Sequence, residues 1–153
     1  MPDRIKALSI RQPWAWLVLH AGKDIENREW GDRYPGMADA RRLIGKQFLI
    51  HAGKGMTRDE YIDAAQFANS LGAGLPSFEE LRRGGIVGRA TLAEIVFDRH
   101  PSPWFFGPVG LVLRDVTPLP FVPMKGALGF FDVPDVLVPG AQSPGVSLRG
   151  RDG

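Results

Sequence analysis

A change of periodicity at Gly85 is the feature that most constrains what this chain can fold into. Before Gly85, two helical patterns are interspersed with short apolar runs. After it, patterns typical of strands cover residues 86–97, 109–116 and 129–133, separated by proline-rich turns. Helices and strands do not alternate regularly, so this order excludes a βαβ array and predicts an α+β fold. We expect a small, closed or partly closed β-barrel flanked by two or three helices.

The first half supplies the helices and the strands between them. Residues 5–10 predict the first strand, and Pro13 favours the first helical position because that position needs no backbone N–H donor. Trp14 and its neighbours at i+3, i+4 and i+7 give this helix one apolar face. Residues 24–30 and 47–51 predict two further strands.

Two capping boxes mark helix starts in the middle of the chain. Thr57 is followed three residues later by Glu60, and Ser77 is followed in the same way by Glu80. We expect the first of these helices to end at Gly72 and the second to be only about two turns long.

Two pairs of residues are expected outside the regular elements. Pro120 and Pro123 lack the N–H group that a central strand requires, so we expect them in turns. Arg41 and Arg42 are expected in a solvated loop.

Length and composition indicate one domain followed by a tail. A chain of 153 residues can bury a stable core without a disulfide or a structural metal ion. The absence of cysteine excludes disulfides, thiolate zinc sites and cysteine nucleophiles. We assign residues 1–134 to a single domain and residues 135–153, rich in Gly, Pro, Ser and Arg, to a disordered tail. The longest uncharged stretch, residues 100–113, is too short and too interrupted by proline to span a membrane. We expect a cytoplasmic protein with no membrane partner.

The charge distribution and the motifs that the sequence lacks limit the kinds of binding or catalytic site that this chain can form. Residues 1–55 carry ten Lys and Arg against six Asp and Glu, so a polyanion would meet the chain there. The Gly-Lys pairs lack the spacing of a phosphate-binding loop, the three histidines lie far apart, and no Gly-x-Ser-x-Gly elbow occurs. We expect no metal site and no cofactor.

A polar and aromatic constellation surrounds the first helix and the strand after it. Its members are Gln12, Trp14, Lys23, Glu26, Arg28 and Trp30. On an extended strand, Glu26, Arg28 and Trp30 share one face. Such a group can bind a phosphate and the edge of a base, or it can hold a buried lysine neutral enough to act as a base or nucleophile. The alternative is a surface salt bridge, which contributes less than ~1 kcal/mol.

The two segments that hold this constellation resemble a known family. Residues 8–15 (Leu-Ser-Ile-Arg-Gln-Pro-Trp-Ala) and 23–30 (Lys-Asp-Ile-Glu-Asn-Arg-Glu-Trp) closely resemble the two motifs of the ASCH family, in the same order. Residues 48–52, 85–88 and 123–126 also resemble the corresponding segments. The resemblance covers residues 5–133, and the Gln-Pro-Trp segment is closest to the branch of a transcription coactivator.

The resemblance implies a PUA-like β-barrel with a ligand cleft beside the first helix. RNA, single-stranded nucleic acid or a modified nucleoside is the expected partner. Family members include a nucleic-acid-binding domain, amidohydrolases that deacylate acylated cytidines, and a protein that cleaves RNA. Lys23, Glu26 and Arg28 correspond to the signature residues, and Gln12 and Trp14 match the coactivator-like branch. The chain departs from the amidohydrolases at Glu26, where those enzymes have a catalytic threonine.

His51 and Lys54 extend the set of candidate ligand-binding residues. His51 ends a strand expected near the motif, so it can donate to a phosphate, move a proton or serve only the structure. Lys54 lies in a glycine-flanked turn, where it can contact a phosphate or remain solvated.

Three functions follow in order of preference. The first is a binding module in which the Lys-x-x-Glu-x-Arg motif holds a nucleic acid or nucleoside. The second is an amidohydrolase on acylated cytidine-type nucleosides, with Lys23 as base or nucleophile and Glu26 as proton relay; it requires burial that lowers the pKa of Lys23. The third is a ribonuclease with His51 as general base.

Overall fold

The computed structural model describes residues 3–141. Within this range the elements are β1 (Arg4–Ile10), α1 (Trp14–His20), β2 (Ile25–Arg28), α2 (Pro35–Leu43), β3 (Gln47–Ala52), α3 (Arg58–Ser70), β4 (Gly85–Phe97), β5 (Val109–Pro123) and β6 (Phe130–Pro134). Single 3-10 turns cover Phe78–Glu80 and Asp135–Leu137. In the described part of the chain, none of the helices has the length and apolar character needed to cross a membrane.

The strands form one six-stranded mixed sheet in the order β2-β5-β4-β3-β1-β6. β1 and β3 run parallel, whereas the other neighbouring pairs are antiparallel. No ladder joins the outer strands β2 and β6 within residues 3–141, so the sheet is not closed. The predicted α+β class is confirmed, and the mixed sheet with its three helices is consistent with a partly closed PUA-like barrel.

The central strands are buried on both faces. Leu8 of β1 belongs to the main hydrophobic cluster with Phe48 of β3, while Ala7 and Leu49 belong to a second cluster. Burial on both sides explains why β3 is a continuous apolar run rather than an alternating one. The first helix adds Ala15 and Val18 to the main cluster, which fixes α1 beside the sheet.

The helix starts agree with the capping signals. Thr57 accepts a hydrogen bond from the backbone N–H of Glu60 at 3.1 Å, and the Glu60 carboxylate accepts one from the N–H of Thr57 at 2.7 Å. Ser77 and Glu80 form the second box, but only one 3-10 turn follows instead of two helical turns. The turn ends there because Leu81 has extended backbone angles and buries its side chain.

The loop expected around Arg41 and Arg42 is instead the last turn of α2. Pro35 starts this helix at a position that needs no N–H donor, and Met37 and Ala40 are fully buried. Arg42 pairs with Asp39 at 2.8 Å on the solvent side. Sequence analysis missed the helix because its apolar face is short and no capping residue marks its start.

The expectation for the prolines near residue 120 was also wrong. Pro120 and Pro123 lie within β5, which extends well beyond the predicted residue 116. β2 pairs with β5 only over residues 109–112, so the later part of β5 has β4 as its one strand neighbour. A proline is tolerated on such an edge because no partner strand needs its N–H.

The first residues of the predicted tail pack on the domain. Val138 and Ala141 are each 2% exposed and join the second hydrophobic cluster with Val133. Burial of these two apolar side chains therefore extends the packed chain to residue 141. Residues 142–153, for which disorder is predicted, lie outside the described residues.

We predict that Thr57→Ala destabilises the protein by ~1 kcal/mol, because it removes the oxygen that accepts the Glu60 N–H at the start of α3. Thr57→Ser retains that acceptor and should stay close to wild type. Urea denaturation of the three proteins measures the difference. Equal stability of the alanine and serine variants would contradict this role.

Candidate functional site

A cleft of about 590 Å³ opens beside α1. Its walls come from the end of β1, from α1 and β2, and from the segment that leads into α2. Four predicted site residues line it together: Trp14, Glu26, Arg28 and Trp30. Arg11 and Tyr34 also line it, although the sequence analysis did not select them.

Glu26 and Arg28 form the polar wall of the cleft. They lie two residues apart on β2, so the strand turns both side chains to one face. Arg28 Nη2 is 3.0 Å from Glu26 Oε2 and also donates to the carbonyl oxygen of Ser9 at 2.9 Å. Among residues 3–141, no acceptor bonds the buried Nε of Arg28. The pair is held between strands and is not a surface salt bridge.

The residue between them, Asn27, anchors a loop through its side-chain amide. Its amide nitrogen donates to the carbonyl of Trp104 at 3.0 Å, and its oxygen accepts from the N–H of Phe106 at 2.7 Å and of Gly107 at 3.0 Å. This loop sets Phe106 against Trp14, with ring centroids 5.9 Å apart. Asn27 thus holds the loop whose Phe106 ring packs against Trp14, a residue of the cleft.

Lys23 lies behind this wall rather than in the open cleft. Its side chain is 2% exposed, and Nζ donates to the carbonyl of Ile25. Nζ is also 3.4 Å from Glu26 Oε1 and 5.6 Å from the centre of the Trp14 ring. Lys23 lines a small adjoining cavity of about 160 Å³, which Phe106 helps to close.

Burial lowers the pKa of Lys23 from its ordinary value of 10.5. The main cause is loss of solvent around the ammonium group, which disfavours the charged form. The neighbouring Glu26 carboxylate opposes this shift by charge attraction and hydrogen bonding. Lys23 therefore has the burial that a lowered lysine pKa requires, which the sequence alone did not show.

Aromatic rings form the other walls. Trp30 stacks on Tyr34 with ring centroids 5.3 Å apart, and the guanidinium carbon of Arg28 lies 5.3 Å from the Trp30 ring centre. Trp14 is half-buried, so it both packs on the core and faces the cleft. The lining thus combines stacking surfaces with hydrogen-bonding groups.

Gln12 lies at the start of α1 and lines none of the cavities described here. It is 3% exposed, its amide nitrogen donates to the carbonyl of Arg82 at 2.9 Å, and its oxygen accepts from the N–H of Trp16 at 2.9 Å. Because the first N–H groups of a helix have no intrahelical partner, Gln12 caps α1. Its place in the Gln-Pro-Trp motif has a structural explanation.

His51 and Lys54 line a second cavity, of about 800 Å³. His51 is 2% exposed, and its Nε2 is 2.7 Å from the carbonyl oxygen of Met124. A carbonyl only accepts hydrogen bonds, so Nε2 carries a proton and donates, and Nδ1 is hydrogen-bonded with the Ser9 hydroxyl at 3.0 Å. Both ring nitrogens are therefore occupied. The structure brings His51 and Lys54 together, but in a different cavity from Glu26 and Arg28.

Arg11 connects the cleft to the start of α3. Its Nε and Nη2 donate to the two carboxylate oxygens of Glu60 at 2.9 and 2.6 Å. This bidentate hydrogen bonding, with a backbone bond from Thr57, lowers the pKa of Glu60 to about 2. Arg11 stands inside the first motif, so its position could have suggested a role, whereas nothing in the sequence singles out Tyr34.

The histidines remain apart in the fold. His20 packs against Trp16 with ring centroids 5.0 Å apart, and Nδ1 of His100 accepts the N–H of Ser102 at 3.1 Å. Across residues 3–141, no three His, Asp or Glu side chains are grouped so that they could hold a metal ion.

We predict that, because of the lowered pKa of Lys23, the free energy of unfolding increases as pH rises towards 10.5. Its pKa is lower in the folded than in the unfolded chain, so between the two values the unfolded chain binds more protons and the free energy of unfolding increases with pH. Urea unfolding from neutral pH to 10.5 measures this rise, which should be smaller in Lys23→Met. Parallel pH profiles for the two proteins would contradict it.

We predict that Arg11→Ala raises the pKa of Glu60 from about 2 towards its ordinary value of 4.5. In the wild type, the contribution of this lowered pKa to stability is present above pH 4.5 and is lost as pH falls towards 2. Carboxyl NMR titration of both proteins provides the measurement. An unchanged Glu60 titration would show that Arg11 does not hold this carboxylate in solution.

Two solved structures have a partial likeness to this chain. No family model and no curated protein matches the sequence. The crystal structure of ASCH from Zymomonas mobilis is similar over 77% of this chain and 72% of that chain, with 14% identity and a TM-score of 0.43. A serine-to-alanine mutant of the same protein covers 81% and 78%, with 16% identity and a TM-score of 0.39. Both structures are of that one ASCH protein; the roles of individual residues in this chain rest on the geometry described above.

Proposed function

We propose that this chain is an ASCH-type binding domain that holds a base of a nucleoside, or of single-stranded nucleic acid, in the cleft beside α1. The observation that carries the proposal is the wall formed by Glu26 and Arg28, with Trp14 and Trp30 beside it. A carboxylate accepts hydrogen bonds and a guanidinium donates them, so the two together match the mixed edge of a base.

The charges of the cleft favour a base over a phosphate at this position. Two acidic residues, Glu26 and Glu29, line it together with Arg28 and with Arg11, whose guanidinium is paired with Glu60. A phosphate would be repelled by the carboxylates, whereas a neutral base uses both kinds of group. Stacking on the exposed faces of the aromatic walls adds ~1–3 kcal/mol per base.

In this proposal Lys23 is a positioning residue. It lies behind Glu26, and its Nζ approaches Oε1 while Arg28 pairs with Oε2. The two cations fix the direction of the carboxylate towards the cleft. Lys23 therefore acts on the ligand through Glu26.

We predict that Glu26→Gln weakens binding of the preferred nucleoside by about tenfold to a hundredfold, because it removes a charged acceptor facing the base. Quenching of tryptophan fluorescence measures affinity for the four nucleosides and for a short single-stranded RNA. The matched control is Glu94→Gln, an exposed carboxylate of β4 that lines neither the cleft nor the second cavity. No binding by wild type, or equal affinity of the two variants, would contradict the proposal.

One observation favours a second candidate, the amidohydrolase. The lowered pKa of Lys23 gives a larger fraction of neutral amine, as a general base requires. In this reaction Lys23 takes a proton from water, and the water oxygen bonds to the acyl carbon of an acylated cytidine. The amide C–N bond then breaks, and the proton passes through Glu26 to the leaving amine.

We predict that, if the chain has this activity, Lys23→Met reduces turnover of acylated cytidines by a factor of about 100 or more, the usual contribution of a general base. Chromatographic detection of free cytidine gives the rate. Lys23→Arg is the control that keeps the positive charge but does not lose a proton. Wild-type turnover that persists in Lys23→Met would exclude Lys23 as the base. If the wild type shows no turnover, binding remains the only proposed function.

A further inference from the structure

The second cavity lies on the other side of Ser9 from the cleft. Ser9 lines both, so one residue of β1 forms the partition between them. The second cavity lies at the end of β3, between the turn that carries Lys54 and the segment from Met124 to Leu128. A ligand bound in the cleft thus has an adjacent space that its next chemical group can enter.

The charges of this cavity differ from those of the cleft. Its ionisable lining consists of Lys54 and Lys125, with His51 at its base and no Asp or Glu. Both lysine side chains are on exposed residues, so their ammonium groups are free to approach a ligand. Two ammonium groups without a competing carboxylate favour an anion, in contrast to the mixed lining around Glu26.

Buried polar contacts hold the two sides of the cavity together. The carbonyl of Met124 accepts a hydrogen bond from His51, whose other ring nitrogen is hydrogen-bonded with the Ser9 hydroxyl. A Cβ on Gly126 would lie 2.7 Å from His51 Cε1, so only glycine permits this close approach. The segment that carries Lys125 is therefore fixed against the strands that carry Ser9 and His51.

We propose that this cavity binds the phosphate group next to the base held in the cleft, with Lys54 and Lys125 as its contacts. The ligand would then be a phosphorylated nucleotide or a nucleic-acid strand rather than a free nucleoside. This inference rests on the proposed base-binding function. His51 is a positioning residue here, because both of its ring nitrogens are already engaged by Ser9 and Met124.

Inorganic phosphate tests the cavity independently of the cleft. In NMR titrations, we expect saturable shifts of the Gly53 and Gly126 amides in wild type, and their loss when Lys54→Ala and Lys125→Ala are combined. Lys46→Ala is the matched control, since Lys46 is an exposed lysine that does not line this cavity. Absence of saturable shifts in wild type, or shifts that persist in the double variant, would overturn the inference.

Paired ligands then separate this inference from the proposed function. We expect a nucleoside 5′- or 3′-monophosphate to bind wild type about tenfold more tightly than the nucleoside, because of charge-assisted hydrogen bonds to the phosphate. The double lysine variant should lose this difference but keep its affinity for the nucleoside. Equal wild-type affinity for nucleoside and monophosphates overturns the phosphate site only. Failure of every base to bind overturns the proposed function, while the phosphate titration still decides whether the cavity binds an anion.

Discussion

The carboxylate of Glu26, shared between two cations, is the interaction on which the candidate site depends. One oxygen lies 3.4 Å from Lys23 Nζ and the other 3.0 Å from Arg28 Nη2. Burying the lysine is unfavourable, and the nearby carboxylate offsets part of that cost. Removing one partner of a buried ion pair typically costs about 3–5 kcal/mol, because an unpaired charge remains. The same carboxylate thus stabilises the fold locally and presents an acceptor to the cleft.

The sheet explains why two cavities of different charge adjoin each other. β1 and β3 are parallel, and Ser9 is the direct register partner of His51 near the carboxyl ends of both strands. The backbone carbonyl of Ser9 accepts from Arg28, whereas its hydroxyl contacts His51. One residue therefore contacts the cleft on one side and the cationic cavity on the other. A base and its phosphate, joined through a sugar, would match that arrangement.

Local sequence patterns predicted part of the candidate site, whereas the rest depends on packing between residues that are far apart in the sequence. The period of a strand placed Glu26 and Arg28 on one face, and the structure confirms their shared orientation. The burial of Lys23 was not predictable, because the small cavity that it lines is bounded in part by Phe106, which a distant loop brings there. The helix α2 was missed for lack of a capping signal, and with it the position of Tyr34.

The most direct measurement of the central claim is an NMR titration with the nucleoside that binds most tightly. The account predicts saturable shifts at the Nε–H of Arg28 and at the indole N–H of Trp30, which line the cleft. The side-chain amide of Asn69, an exposed residue of α3 that lines none of the described cavities, should change much less. Shifts confined to other surfaces, with Arg28 and Trp30 unaffected, would contradict the assignment of this cleft as the ligand site.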